Sequence, residues 1–421
     1  MVNTVSTNGA TENSGSALPQ ASNQSASSQQ ASTKNIGLRG IPVADTRICD
    51  IDGEQGILIY RGYNVVPLAE QSTYEEVVYL LSYGNLPSAE ELAQCRAMLA
   101  GLRPIPESVL QMLKTRPAKA HPMDVLQSAV PMLVDHEPDL RDDSREANLW
   151  RALALTAKFA TIVAAWSRVR QGLEPISPDP ELGHAANFLY MVTGEVPGPQ
   201  AERTFDACLV LHAEHSFNAS TFTARQVAST RAHMYAAVTA AIGALGGALH
   251  GGANERVMEM MQAIGSVEQV KPWITSRFER KERVMGMGHA VYKTEDPRAR
   301  VLRQLATTLA VETGREELLA LATEIEQVTR EEFRRRKGSE LYPNVDFYGA
   351  PVYAMLGIDT DLFTAIFAVS RVIGWCSHVI EEKFAEAQPT PALYRPLAEY
   401  IGSYCGPAGC QYVPLAKRSA G

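Results

Sequence analysis

The chain has 421 residues, of which 45% are hydrophobic and 20% are charged, and its formal net charge is −8 at pH 7. This composition is ordinary for a folded globular protein, and the acidic balance excludes a broad basic face for sequence-independent nucleic-acid binding. The six cysteines have neither CxxC nor metal-ligand spacing, which favours reduced thiols: Cys49, Cys95, Cys208, Cys376, Cys405 and Cys410.

Residues 1–35 are rich in Ser, Asn, Gln, Thr and Ala and contain hardly an apolar anchor. Such a segment buries too little surface to offset the entropy of ordering, so we predict a disordered tail. The first basic residue is Lys34, and the segment has neither a basic leader with an apolar run nor an Arg-rich amphipathic pattern. We therefore expect an untargeted cytoplasmic protein.

The stretch ICDIDGEQGILIYRGY, at 48–63, alternates around a DG turn and predicts a short β-hairpin, the only convincing β-structure. Two helices are then predicted by capping boxes, one from Ser72 and Glu75 and the other from Ser88 and Glu91. Apolar periodicity predicts further helices at 106–116, 123–135, 146–171, 180–193, 200–224, 229–249, 254–264, 299–312, 315–337 and 361–386. The chain is therefore predicted to be predominantly α-helical, and the lack of a fixed repeat argues against a solenoid.

One of these helical stretches has no Asp, Glu, Lys or Arg from Met234 to Asn254, a length that could cross a membrane. It is mostly Ala and Gly, so a tightly packed buried helix is the better interpretation, with Gly243 and Gly247 spaced to let another helix approach. It ends in GGALHGGANE, where His250 stands between two pairs of glycines. Because glycine is costly in a helix, the backbone beside His250 is predicted to approach something closely.

In VMGMGHAVYKTEDPRAR, at 284–300, Gly286 and Gly288 allow a sharp turn that exposes amide N–H groups just before His289. Three cations follow within a few residues: Lys293, Arg298 and Arg300. The turn could hold phosphates, although GxG alone is a weak indication and an ordinary loop is the simpler interpretation.

His212 and His215, in LHAEHSFNAS, are three residues apart on a predicted helix. Two histidines at that spacing could bind metal, but there is no HExxH arrangement and no nearby cysteine to complete a tetrahedral site. Hydrogen bonding or substrate binding is therefore favoured over a metal.

Asp346, in YPNVDFYGAPVYAMLG, is predicted to lie in a Pro-bounded aromatic loop around 342–351. Partial desolvation there would raise the pKa of its carboxyl toward the range of a general base. An Asx turn or a helix cap is the structural alternative.

Arg371 is the only charged residue between Leu362 and Cys376, in a helix that is apolar on almost every side. A guanidinium keeps its proton, so leaving it buried and unpaired would cost several kcal/mol. A structural salt bridge is the simpler interpretation, and a substrate carboxylate is the functional one.

Together, the motifs LHGGANE, GMGHAVYKTEDPRA, NVDFYGAPVYAMLG, SRVIGW and YRPLAEYIG, in this order and spacing, closely resemble the citrate synthase family over about 36–406. The resemblance implies an all-α, two-domain helical enzyme with a short N-terminal β-hairpin. The large domain would comprise 36–251 and 358–421 and form a homodimer, with any higher assembly left open. The small domain, 252–357, would lie on the CoA side and close over the active site.

The family condenses oxaloacetate with acetyl-CoA to citryl-CoA, which is hydrolysed to citrate and CoA. The resemblance implies these catalytic residues: His250, His289 and Asp346. It implies these oxaloacetate ligands, the last from the second subunit: His215, His289, Arg298, Arg371 and Arg395. It implies these contacts with CoA: Lys293, Gly286, Met287 and Gly288.

The implied chemistry suits these residue types. Asp346 would remove a methyl proton from the thioester, neutral His250 would donate a hydrogen bond to the enolate-like oxygen, and His289 would polarise the keto carbonyl. The glycines would let the thioester approach His250, and a helix N-terminus near Asn254 would keep its ring uncharged. Domain closure would exclude water during condensation.

Two positions depart from the family pattern near the pocket: Leu397, where a basic or small polar residue is common, and Gly349, where serine is usual. They leave the acyl-CoA choice open, so 2-methylcitrate synthase, which uses propionyl-CoA, stays an alternative. A non-catalytic helical assembly protein and a His-based metallohydrolase are weaker ones. We expect no resident cofactor, metal, nucleic-acid partner or membrane partner, and no NADH control, because the β-rich N-terminal extension linked with it is absent.

Overall fold

The computed structural model of the chain describes residues 36–38, 40–402 and 409–418. A short N-terminal unit ends at Val43 and contains one 3₁₀ helix, Ile36–Leu38. A second unit, which begins at Ala44, holds the hydrophobic core and all the elements discussed below. The tail predicted at 1–35 lies outside the described residues.

The second unit is built from α-helices with one small sheet, which confirms the predicted all-α class. The helices are α1 Val65–Gln71, α2 Tyr74–Tyr83, α3 Ala89–Leu102, α4 Glu107–Thr115, α5 Pro122–Met132, α6 Arg145–Val169, α7 His184–Thr193, α8 Pro199–His212, α9 Ala219–Ser229, α10 Met234–Leu245, α11 Ala253–Ile264, α12 Val267–Glu279, α13 Pro297–Thr313, α14 Glu316–Lys337, α15 Val345–Met355 and α16 Phe363–Lys383. Nothing in this architecture tests the predicted division into a large and a small domain, which stays a prediction.

The predicted hairpin is present. Strands β1, Cys49–Asp52, and β2, Ile57–Tyr60, are antiparallel, and a third short strand, β3, Tyr63–Asn64, extends the sheet. Asp52 fixes the turn, because its Oδ1 accepts from the backbone N–H groups of Glu54 and Gln55. The carbonyl of Gly53 in this turn accepts a 2.8 Å hydrogen bond from the N–H of Lys293. The hairpin therefore braces the loop that carries His289.

Capping chemistry fixes several helix starts. The box predicted at Ser88 and Glu91 is present, but the first box is formed by Thr73 and Glu76, one residue later than predicted. Ser72 instead terminates α1, because its backbone N–H donates to Leu68. Because α1 extends to Gln71, Ser72 is its C-cap. The N-cap of α2 therefore falls on the next residue, Thr73.

The predicted helix at 200–224 is wrong, because the chain breaks between α8 and α9. Ser216 adopts a left-handed φ of 51°, and the side chain of Asn218 caps α9. His215 is thus in a loop and not on a helix with His212. The predicted helix at 229–249 is shorter, because His233 caps α10 and the helix ends at Leu245.

The aromatic loop predicted at 342–351 is also wrong, because most of it is α15. The side chain of Asn344 accepts the N–H of Asp346 and starts the helix, and Pro351 lies inside it. The helices α1 and α12 had no predicted counterpart.

Helix α16 is the centre of the core, and every one of its residues is buried. It contacts α6, α8, α9 and α10. By length and apolarity, the segments Arg145–Val169 and Thr360–Lys383 could each cross a membrane, but 83% and 100% of their apolar windows are buried inside the protein. That burial is typical of core helices.

Helix α10 is only half buried, in contrast to the buried helix that we predicted. Its inner face packs in the core, whereas Gly243 and Gly247 are exposed and Leu249, beyond its end, is 99% exposed. The predicted close approach occurs at Gly243, where an added Cβ would lie 2.6 Å from the side-chain amide of Gln127 in α5.

The described cysteines fall into two groups, and Cys405 lies outside the described residues. Cys49, Cys95, Cys208 and Cys376 are buried free thiols in the core. Cys410 is disulfide-bonded, which contradicts the prediction that all the thiols are reduced. It lies in the exposed C-terminal segment, outside the apolar packing that shields the other four.

Candidate active site

His250 lies in the turn between α10 and α11, and the glycine after it explains part of the glycine-rich sequence. The N–H of Gly251 donates to the carbonyl of Leu245 at 2.8 Å. A Cβ on Gly251 would lie 2.6 Å from that same oxygen, which no real side chain tolerates. The close approach predicted beside His250 is thus an approach to the end of α10.

The contacts of His250 determine its tautomer. Its Nε2 accepts the backbone N–H of Ser220 at 3.2 Å, and the Ser220 hydroxyl lies 2.8 Å from the same nitrogen. A backbone N–H can only donate, so the proton of the neutral ring is on Nδ1. Burial, with a smaller contribution from Arg371, lowers the pKa of His250 to about 4. His250 therefore presents a neutral Nδ1–H donor at pH 7.

The helix that donates to this ring is α9, and the predicted effect of the helix that starts near Asn254 stays a prediction. Ser220 is in the first turn of α9, where backbone N–H groups have no partner within the helix. The partial positive charge at a helix N-terminus disfavours a protonated imidazole.

His289 is held in the opposite tautomer. Its Nδ1 accepts the backbone N–H groups of Val291 and Tyr292, at 3.1 and 3.2 Å, so the proton is on Nε2. Burial and then the positive charge of Arg298 lower the pKa of His289 to about 4. His289 is a second neutral donor.

His215, His289 and Tyr292 form one ring cluster. The ring centroids of the two histidines are 5.4 Å apart, and those of His289 and Tyr292 are 4.7 Å apart. The Tyr292 hydroxyl lies 3.2 Å from His215 Nε2. Burial and neighbouring cations hold the pKa of His215 well below its usual value, so this ring is neutral too.

Asp346 lies in the first turn of α15, and its carboxylate is incompletely paired. Its Oδ1 is buried without a hydrogen-bond partner among the described residues. Desolvation, partly opposed by the positive charge of Arg298, raises the pKa of Asp346 to about 6. A carboxylate of this kind is mostly ionised at pH 7 and is a stronger base than an exposed aspartate.

The turn at Gly286–Gly288 positions Asp346, because it is hydrogen-bonded to the strand-like segment that precedes α15. Both glycines have left-handed φ, 73° and 84°. The N–H of Gly288 donates to Tyr342, and the N–H of Asn344 donates to Gly286. The N–H groups of Met287 and Gly288 are therefore used inside the protein, which corrects our expectation that this turn exposes its amides.

A small cavity of about 170 Å³ lies beside this turn. Its lining includes His289, Tyr292, Lys293, Leu341 and Tyr342. Lys293 itself is exposed. The predicted cation and the predicted catalytic imidazole therefore border the same space.

Arg298 is buried and paired with Asp296. Their side chains form a bidentate pair, with Nε and Nη2 of the arginine donating at 3.0 and 2.8 Å. The same carboxylate accepts the N–H of Val345 at 3.1 Å, next to Asp346. Asp296 therefore fixes both a predicted ligand and the start of the helix that carries the predicted base.

Arg371 is buried in the core and lacks a carboxylate partner. Its Nε donates to the carbonyl of His212 at 2.6 Å, and its guanidinium lies 4.7 Å from the centroid of the Phe367 ring. Its Nη2 is buried without a hydrogen bond, and among the described residues no carboxylate oxygen lies within the 4.0 Å of an ion pair. The structural salt bridge that we considered is not formed.

Arg395 is the one predicted ligand that lies apart from this group. It is exposed, in a C-terminal segment without regular secondary structure. Within the described part of the chain it makes no hydrogen bond or ion pair with the other predicted ligands.

Chemically, the predicted site residues supply one desolvated carboxylate, two neutral imidazole N–H donors and one guanidinium nitrogen without a hydrogen bond. This set suits removal of a proton from carbon, stabilisation of the resulting oxyanion and binding of an anionic substrate. In the described parts of the chain, no cluster of three His, Cys, Asp or Glu side chains could hold a metal.

Sequence reasoning missed three residues of the site: Ser220, Tyr292 and Asp296. The order Asp-Pro at 296–297 is typical of a helix start and could have identified Asp296 as a cap. Nothing local to Ser220 or Tyr292 indicates that they contact histidines 30 and 77 residues away.

Known proteins are similar to this chain in sequence and in fold. The chain matches the family profile "Citrate synthase, C-terminal domain" over residues 37–397. It is 43% identical over 383 residues to a citrate synthase of Synechocystis sp., which covers 91% of this chain and 93% of that protein. It is 41% identical over 367 residues to a 2-methylcitrate synthase of Mycobacterium tuberculosis, with 87% and 90% covered. A citrate synthase from Thermoplasma acidophilum, solved in ternary complex with carboxymethyl coenzyme A and oxaloacetate, matches this chain with a TM-score of 0.82 at 31% identity, with 91% of this chain and 98% of that chain covered.

Proposed function

The chain belongs to the citrate synthase family, whose reaction condenses acetyl-CoA with oxaloacetate and water to citrate and CoA, and we propose how its residues carry out that reaction. Asp346 is the base, His250 and His289 are the two hydrogen-bond donors, and Arg371 is the principal carboxylate ligand. The arrangement of charge and tautomer described above supports these roles.

In the first step, Asp346 takes a proton from the methyl group of acetyl-CoA through its unpaired Oδ1. The thioester oxygen gains negative charge and accepts a hydrogen bond from His250 Nδ1–H. A neutral imidazole matches the acidity of an enol better than an imidazolium does, so a pKa of about 4 for His250 favours this role. The fixed tautomer means that the donor needs no reorientation during the step.

In the second step, the methylene carbon attacks the keto carbon of oxaloacetate. His289 Nε2–H donates to the keto oxygen, which becomes the hydroxyl of citryl-CoA. Water then cleaves the thioester and releases citrate and CoA. These steps are proton transfer, addition of a carbon nucleophile to a ketone and thioester hydrolysis, none of which changes the net oxidation state, so we propose that the enzyme requires no resident metal or organic cofactor.

The carboxylates of oxaloacetate bind to cations in this scheme. Arg371 offers its unpaired Nη2, and Arg298 offers Nη1, the terminal nitrogen that its pair with Asp296 does not use. His215, whose ring lies beside that of His289, is a further ligand of oxaloacetate in this scheme. The buried Nη2 of Arg371, which has no hydrogen bond, is the observation that carries the proposal. Glu214 acts on this guanidinium only from beyond ion-pair distance, and a buried cation without a contacting counterion is expected to bind an anionic ligand.

The quaternary arrangement is also a proposal. We propose a homodimer in which Arg395 enters the second subunit's site and the uncharged α10 lies in the interface. The outward position of Arg395 and the exposed glycines of α10 support this arrangement. We further propose that the segment 252–357 closes over the substrates, with Lys293 and the Gly286–Gly288 turn, including Met287, facing CoA. A cytoplasmic location is favoured by the four buried free thiols.

Thiol release tests the reaction. We expect the purified protein to release CoA from acetyl-CoA only when oxaloacetate is present, with a citrate product detectable by mass. Release of CoA without oxaloacetate would instead indicate a simple thioesterase and would contradict the condensation.

The acyl group is the least constrained part of the proposal. We propose acetyl-CoA as the preferred substrate and propionyl-CoA, the 2-methylcitrate synthase reaction, as the alternative. Gly349 favours keeping the alternative, because its nearest side-chain atoms, in Leu302 and His212, are 3.9 and 4.0 Å from an added Cβ and leave room. One methylene in an apolar pocket changes specificity by only about 10- to 200-fold, so the ratio of kcat/KM values for the two acyl-CoAs decides the matter.

A further inference from the structure

Tyr394 fastens the C-terminal segment to the helical core. Its hydroxyl donates to Glu382 at 2.8 Å, and its backbone N–H donates to Ser229 at 3.4 Å. Its ring meets the edge of Phe222, with centroids 5.5 Å apart. By contrast, Leu393 and Leu397 nearby are 62% and 100% exposed. Tyr394 is thus a point of attachment in a segment that otherwise faces outward.

The acceptor of the Tyr394 hydroxyl is held rigidly. The side chain of Glu382 is completely buried and forms a 2.7 Å ion pair with Arg225, which also pairs with Glu381 at 2.7 Å. These glutamates are on the last turn of α16, the central helix of the core. A hydrogen bond to a buried, immobilised carboxylate is stronger and more directional than one to a solvated group.

The attachment lies one residue before Arg395. Pro396, on the other side, fixes its own φ and restricts the backbone of Arg395 to extended conformations. Arg395 is therefore set between a side-chain anchor and a stiff residue, while its own guanidinium is exposed. This arrangement removes much of the backbone freedom that an arginine on a loose segment would lose when it binds an anion.

We propose that Tyr394 is a positioning residue that presents Arg395 to the oxaloacetate carboxylate in the second subunit's active site. The proposal rests on the proposed function, in which Arg395 acts across the dimer. In this proposal, the contacts from Arg225 to Glu382 and from Glu382 to Tyr394 contribute to oxaloacetate affinity as well as to packing.

Removal of one hydroxyl group tests the proposal. In Tyr394→Phe, we expect the KM for oxaloacetate to rise about tenfold, because a hydrogen bond to a charged group is lost. The KM for acetyl-CoA and kcat should stay within about twofold, because Asp346, His250 and His289 are untouched. Ser229→Ala removes the longer bond and should raise the same KM less.

The matched control is Tyr412→Phe. Tyr412 is in the same C-terminal segment and is 76% exposed, with only a ring contact to Arg418 among the described residues. We expect all three kinetic constants of this variant to equal those of the unmodified protein. If Tyr394→Phe instead lowers kcat, raises both KM values and lowers the melting temperature together, its role is merely structural and the proposal is overturned.

Mixed dimers separate this proposal from the proposed function. In dimers of Tyr394→Phe with Asp346→Ala chains, the only competent site receives its Arg395 from a chain with an intact Tyr394, so its KM for oxaloacetate should be normal. A KM that stays raised would mean that Tyr394 acts within its own subunit, against the proposal. Arg395→Ala serves as the reference: if it leaves the KM for oxaloacetate unchanged, the proposed role of Arg395 fails. If it raises that KM and Tyr394→Phe does not, only the positioning role fails.

Discussion

Two arginines are buried at α16, one packed against the helix and one within it, and they differ in whether carboxylates contact them. Arg225, from α9, forms 2.7 Å ion pairs with both Glu381 and Glu382. Arg371, about three turns earlier on α16 itself, contacts a backbone carbonyl and an aromatic ring and keeps one Nη without a hydrogen bond. Both side chains are almost completely inaccessible to water.

The difference between the two arginines indicates what each is for. A buried cation in contact with carboxylates belongs to the packing, because removing either partner leaves an uncompensated charge. A buried cation with incomplete partners costs stability until a ligand supplies the missing anion. Among the described residues, the carboxylates show a related contrast, because Glu382 forms an ion pair with Arg225 and Asp346 forms no ion pair.

We expect the largest effect on catalysis from replacing Asp346, whose carboxylate has an oxygen without a hydrogen bond. Asp346→Ala should lower kcat for CoA release by about 10²- to 10⁴-fold, because the reaction loses its general base. Asp124→Asn is the control, since Asp124 is likewise in the first turn of a helix but is exposed. Activity of Asp346→Ala equal to that of the control would remove the basis of the proposed mechanism.

The paired arginine should matter chiefly for folding. Arg225→Met leaves Glu381 and Glu382 buried without their cation and should reduce the free energy of unfolding by about 3–5 kcal/mol. Denaturant titration followed by circular dichroism measures this loss. A reduction below about 1 kcal/mol would show that the two glutamates find other partners and that the contrast with Arg371 is overstated.

The unpaired arginine should matter chiefly for binding. Arg371→Met should lower kcat/KM for oxaloacetate by about 10- to 150-fold, because a charge-assisted hydrogen bond to the substrate is lost. Its free energy of unfolding should change little or rise, since an unpaired buried charge is removed. The same titration as for Arg225→Met provides the comparison, and equal losses of stability in the two variants would contradict it.

The smallest effect is a dependence on pH. The pKa of Asp346 is raised to about 6, so its basic form is lost as the pH falls through 6, and kcat/KM should drop about tenfold per unit below that value. His250 and His289, with pKa values of about 4, stay neutral over the same range. Rate measurements between pH 5 and 8 test this, and a flat profile down to pH 5 would mean that Asp346 is not the titrating base.

Local sequence patterns predicted much of the helical architecture because its signals are local. The Ser88 cap and the long apolar patterns of α6, α14 and α16 were identified correctly. The break between α8 and α9 was not, because it depends on the left-handed φ of Ser216 and on an Asn cap within an otherwise helical pattern. Helix α15 was missed because Gly349 and Pro351 suggest a loop, whereas packing against α11 and α13 keeps the segment helical.

The site shows the same division between local and long-range information. His250, His289, Asp346 and Arg371 were identified from motifs, and their roles stay predictions until they are tested. Their protonation states could not be predicted from sequence, because the tautomers depend on backbone N–H groups that only the fold brings to the rings. The contact between His250 and the first turn of α9 was not predicted for the same reason.

One carboxylate, that of Asp296, ties Arg298 to the backbone at Val345. Arg298, which would bind oxaloacetate, and Asp346, which would deprotonate acetyl-CoA, are therefore coupled through the side chain of Asp296. An engineer who reshapes the keto-acid pocket by moving Arg298 should expect to displace the base as well. New substrates for this scaffold are better sought by substitutions that leave Asp296 in place.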